Sequence, residues 1–188
     1  MQYLAIGVNC LIGTIFLVSA FGKLARRGSL AAFTESVRGM RAVPSNMTRK
    51  LAVSIVAVEV AVCVLLANPL REARAIGLVS AAVMLAVFAV AVASAVHRGV
   101  REPCRCFGRS STPMSYWQAG RNLVLALVAA IGAAALLSGR AADTAQFGAA
   151  TIAVLGGVLT GCLVVFADHI VELFQPIEKV PGAAVGAR

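Results

Sequence analysis

Cys104 and Cys106 stand one residue apart in the stretch "REPCRCFGRSS" (101–111), among Arg101, Arg105 and Arg109. A disulfide across a single intervening residue closes a small ring far from relaxed geometry. Such a bond suits a pair that cycles better than a structural staple. The arginines favour the thiolate, the form that attacks another disulfide. Three chemistries are open to the pair: thiol–disulfide exchange, binding of a soft metal such as copper or zinc, or none beyond a surface turn. A metal site needs more soft ligands than this loop holds, so His97 or a second chain would have to contribute.

The surroundings of that loop are mostly hydrocarbon. Of 188 residues, 60% are hydrophobic and 13% charged, and the mean hydropathy of +0.87 points to an integral membrane protein. The net charge of +9 does not argue for a nucleic-acid partner, because the basic residues lie between long apolar runs, where membrane proteins keep their topology charges. A membrane crossing needs about 20 apolar residues in a helix. Five segments meet that requirement or nearly do: 3–21, 51–68, 75–96, 116–138 and 147–173. Together they make residues 1–175 a single polytopic, all-α membrane domain, with 176–188 as a flexible tail. The first span is expected to be retained rather than cleaved, since it lacks a basic leader and runs into "GKLARR".

Five crossings put 14 of the 17 Lys and Arg on one side. The positive-inside rule then predicts an outside N-terminus and a cytoplasmic Cys104–Cys106 loop. On that same side, Leu30, Phe33, Val37 and Met40 recur at helical spacing among arginines. They predict a short amphipathic helix that lies in the headgroup region or covers the end of the bundle. "SYWQ" (115–118) carries a capping-box pattern at Ser115 and Gln118, so the positive end of the fourth spanning helix should face the thiols. "GVLTG" (157–161) gives the last span a face suited to close helix packing.

Glu59 lies within the second span. A carboxylate in a membrane is costly and marks a functional site by default. Left unpaired, it is expected to hold a proton. It would then pass that proton during thiol exchange or bind a polar group such as a quinone head; a structural hydrogen bond between helices is the alternative. Lys23 and Arg121 fall near helix ends, where basic side chains snorkel to water, and Asn122 can bond across helices. Cys10 and Cys63 sit at similar depth in the first two spans. They suggest a relay, against the commoner role of buried cysteine as a small apolar residue.

"CRCFG", followed by "RN" at the head of an apolar helix, together with "SAFGKL" (19–24), "AFTESV" and "VEV", resembles the MauE family of membrane proteins over residues from about 10 to 138. The resemblance implies a DoxX-like four-helix bundle, similar to that of vitamin K epoxide reductase, with a fifth transmembrane helix added. It also implies a thiol–disulfide oxidoreductase of the bacterial inner membrane that works with a thioredoxin-like partner, as in methylamine dehydrogenase maturation. Cys104 and Cys106 would be its redox pair, with Lys23, Glu59, Arg105, Arg121 and Asn122 in support. A quinone is the one cofactor this chemistry suggests. A non-enzymatic membrane subunit or transporter binding copper or zinc through the same cysteines is the alternative, and a partner-docking scaffold is a third. Disulfide formation belongs to the oxidising side of a membrane, whereas the charge bias puts the loop in the reducing cytoplasm. Three resolutions are open: the protein carries reducing power outward, which is favoured; the pair sits in a pocket reached from within the bilayer; or the orientation is the reverse.

Overall fold

The computed structural model describes residues 2–25, 27–39, 44, 46–100, 115–138 and 147–174. Met40, Cys104, Arg105, Cys106 and the tail 176–188 lie outside them. The chain forms six helices: α1 (Gln2–Leu24), α2 (Ser29–Gly39), α3 (Thr48–Ala67), α4 (Arg71–His97), α5 (Tyr116–Leu137) and α6 (Phe147–Phe174). All but α2 are long and apolar enough to cross a membrane. The first span reaches Leu24, three residues past the sequence boundary, and α3 starts at Thr48. Both extensions add polar residues that other helices bury, which a search for apolar runs leaves out.

α1, α3, α4 and α5 pack as an antiparallel bundle, with α4 and α5 in the most extensive contact. Inward stripes recur at three- and four-residue steps: Ile12, Phe16, Ser19 and Lys23 on α1; Ala52, Val56, Glu59, Val62 and Leu66 on α3; Asn122, Leu125, Ala129, Ala133 and Leu136 on α5. This is the period of a helix with one enclosed face. Hydrocarbon surrounds the outer faces as well, so apolar burial does not hold these helices together. Close packing and interhelical hydrogen bonds must do so. Gly77 lies against Leu65 and Leu66, and a methyl group on Gly132 would stand 2.6 Å from Val8. Asn9 Nδ2 donates to the Leu66 carbonyl at 3.1 Å, and the Arg71 guanidinium donates to the Leu136 carbonyl. Each occupies an otherwise unpaired acceptor in a last helical turn.

Among the described residues, α6 touches only α1. Gly7 faces the Ala153 carbonyl, Gly157 sits on Gly7 and Cys10, and Gly161 sits on Leu11 and Thr14. The contacts advance along both helices together, so α1 and α6 run parallel, as a first and a fifth crossing must. The predicted small-residue face at 157–161 is this seam. α2 packs against α3 and α1, burying Phe33, Thr34, Ser36 and Val37. Phe33 and Val37 cluster with Ala52 and Val56 of α3. This packing sets α2 beside the last turn of α1.

Replacing Gly157 by Ile should force α6 away from α1, at a cost of about 1–3 kcal/mol for overpacking. Cys10, whose Cβ would lie 3.0 Å from a methyl group at Gly157, should then react faster with a membrane-permeant maleimide. Unchanged labelling would show that the seam yields without opening.

Candidate functional site

Lys23 is 3% and Glu59 2% exposed, and the two form an ion pair through Glu59 Oε1. Ser19, one turn before Lys23 on the same stripe, donates to Glu59 Oε1 at 3.1 Å and accepts from Lys23 Nζ at 3.0 Å. The Phe33 ring of α2 lies over the ammonium, 4.4 Å from its centroid. Two of the three ammonium donors are therefore taken by oxygens, and an aromatic face meets the cation from a third direction, an arrangement worth about 2 kcal/mol where water is excluded.

Lys23 does not snorkel outward, because of helix geometry. Side chains lean toward a helix's N-terminus, so a lysine in the last turn of α1 points back into the bundle, toward Glu59. Glu59 for its part is not an isolated carboxylate awaiting a proton. Ser19 and Phe33 complete the cluster without having been picked out from the sequence as site residues. Their signal was present in the spacing: Ser19 and Lys23 share a helical face, and Phe33 tops the apolar stripe of α2.

Among the described residues nothing donates to the buried Glu59 Oε2, and Asn122 Oδ1, in a residue 1% exposed, is in the same condition. Gly132 of α5 abuts Val8 of α1. Stepping ten residues along each antiparallel helix brings Asn122 to the depth of Val18 and Ser19. Asn122 thus belongs to the polar layer of the ion pair by depth, on the inward stripe of α5. Arg121 is half-buried beside it.

The remaining candidates are more dispersed. Cys10 lines the α1–α6 seam, Cys63 packs against the bundle core, and both are free thiols. Cys104, Arg105 and Cys106 lie outside the described residues, in the sequence between the end of α4 and Ser115. There the capping box with Gln118 is formed, and Gln118 Oε1 accepts from the Ser115 amide at 3.4 Å. The end of α1, the end of α4, the start of α5 and α2 all lie at this one end of the bundle.

Five apolar spanning helices around a buried polar cluster define an all-α, multi-pass membrane protein. More narrowly, the chain belongs to the MauE family: the family model described as methylamine utilisation protein MauE matches residues 1–137. The match ends with the last residue of α5, so α6 stands outside it. No curated protein and no solved structure matches the chain.

Glu59→Leu alone leaves a buried ammonium without its counter-ion and should destabilise the detergent-solubilised protein by about 3–5 kcal/mol. Lys23→Met combined with Glu59→Leu should recover most of that loss in thermal unfolding. A double variant no more stable than the single one would show that the pair is not the structural link described.

Proposed function

We propose that this protein is a membrane thiol–disulfide oxidoreductase that exchanges electrons with a thioredoxin-like partner through Cys104 and Cys106. What most supports this reading is the sequence: Cys104 and Cys106 stand among Arg101, Arg105 and Arg109, which favour thiolates, in the stretch that leads into α5. One thiolate attacks the partner's disulfide, a mixed disulfide forms, and the second cysteine displaces the reduced partner as the Cys104–Cys106 bond closes. The reverse sequence returns the electrons. The family's description gives methylamine utilisation as the setting, and the four-helix core is read as DoxX-like, similar to vitamin K epoxide reductase. The whole of 1–175 is read as one polytopic unit in the bacterial inner membrane. Charge bias supports an outside N-terminus and a cytoplasmic pair. Cys10 and Cys63 form no part of this mechanism.

In the test, whole cells are quenched in acid and the thiols tagged with a maleimide that shifts gel mobility. The wild-type pair should divide between reduced and oxidised forms. Serine at either Cys104 or Cys106 should abolish turnover, and one of the two variants should accumulate a mixed disulfide with a thioredoxin-like protein. Thiols that never oxidise, together with stoichiometric copper or zinc that is lost on Cys104→Ser, would replace this function with metal binding. An impermeant maleimide should reach the pair only in opened cells; labelling of intact cells would reverse the orientation.

A further inference from the structure

A groove of about 560 Å³ runs between α2, α3 and α4. Leu51, Ile55 and Val58 form its α3 wall, and its α4 wall extends from Val79 to Ala91. Ser80 is the one polar side chain among the described residues that line it, so its interior suits hydrocarbon and offers a polar group little. Val83 and Val87, each 60% exposed, open it to the bilayer. The α4 wall is about 18 Å long at the helical rise of ~1.5 Å per residue. One leaflet's share of a hydrocarbon core of ~30 Å is about 15 Å, so the groove has the length of a single lipid acyl chain. Its direction is fixed as well. Gly77 lies against Leu65, and stepping fourteen residues along each antiparallel helix sets Leu51 level with Ala91. That end lies three residues inside the start of α3, at the edge of the apolar span.

Basic side chains stand at that end of both walls. On α4, Ser80, Val87, Ala91 and Arg98 follow at steps of seven, four and seven residues, which keeps them on one helical face. Arg98, the exposed cap residue of α4, therefore continues the wall of the groove beyond Ala91. A side chain there leans toward the helix N-terminus, back over the groove. On α3, Lys50 heads the exposed stripe of Ser54, Ala57 and Ala61, on the lipid side of the groove wall. By the same lean it reaches outward to the headgroup level. Glu35 pairs with Arg38 and Glu59 with Lys23, so the described carboxylates of α2 and α3 are committed elsewhere. We propose that the groove binds an anionic phospholipid, with one acyl chain between α3 and α4 and its headgroup held by Lys50 and Arg98. The chain supplies affinity and the two cations supply selectivity. Each basic side chain at this level favours an anionic over a zwitterionic lipid by about fivefold. The site uses neither Cys104 nor Cys106 and stands whether or not they cycle.

The test is a lipid titration of the purified full-length protein in detergent, with bound lipids counted by native mass spectrometry. Phosphatidylglycerol should bind about fivefold or more tightly than phosphatidylethanolamine with the same chains. Lys50→Gln combined with Arg98→Gln should bring the two lipids level. Arg49→Gln removes a like charge from the opposite side of α3 and should keep the preference. All three positions are exposed, so these variants should unfold at the wild-type temperature. Val87→Trp, on the lipid-facing rim where the fold tolerates bulk, should fill the groove and weaken phosphatidylglycerol binding by about tenfold or more. Equal binding of the two lipids by wild type, or a preference that survives the double variant, would overturn the site. Wild-type affinity in Val87→Trp would overturn it too, by showing a basic patch with no chain bound beneath it.

Discussion

An ammonium and a carboxylate that would each be intolerable alone inside a membrane make one polar contact, and the arrangement of three helices depends on it. Desolvation costs several kcal/mol for each ion, and the cost is offset only when both, with their hydrogen bonds, are in place. α1 must bring Lys23 to the depth of Glu59 on α3, Ser19 must bridge them, and α2 must lay Phe33 over the cation. A shift of one helical turn in any of these elements would leave a bare charge in hydrocarbon. The pair therefore sets register at the α2 end of the bundle, where apolar packing alone would tolerate several registers.

Away from that layer the bundle relies on small residues and backbone. Gly77, Gly132, Gly157 and Gly161 each admit a neighbouring chain where a larger side chain would collide, and Asn9 and Arg71 tie helix ends to last-turn carbonyls. This division suits the proposed chemistry. The packed end keeps the helices aligned, while the polar end holds α2 against the buried charge pair.

The spanning helices were legible because hydrocarbon imposes a minimum apolar length, and the α6 seam because 157–161 repeats glycine one turn apart. The capping box was legible too, since Ser115 and Gln118 stand three residues apart, the spacing such a box requires. The Lys23–Glu59 pair was not, because apolar runs locate spans but do not say which way a side chain leans. A lysine at the C-terminal end of a helix leans inward, and that separates Lys23 from a snorkelling residue. Glu59 drew attention because of its depth, but its partner comes from another helix, and no local pattern identifies it. An apolar groove between α3 and α4 is less legible still. Ile55, Val58, Val83 and Val87 look like any other lipid-facing residues until two helices place them opposite each other.

The parallel seam between α1 and α6 has a consequence for biogenesis. α1 leaves the ribosome before α6, so the Gly7–Cys10–Leu11–Thr14 face of α1 stays bare to lipid while the three intervening spans are inserted. The core of four crossings and its ion pair can assemble during that interval, since α6 touches none of their other helices among the described residues. Arrival of the fifth crossing is then a late docking onto a finished surface. Until it happens, the nascent protein exposes this face of α1 to the bilayer, where any other helix with a small-residue pattern can occupy it.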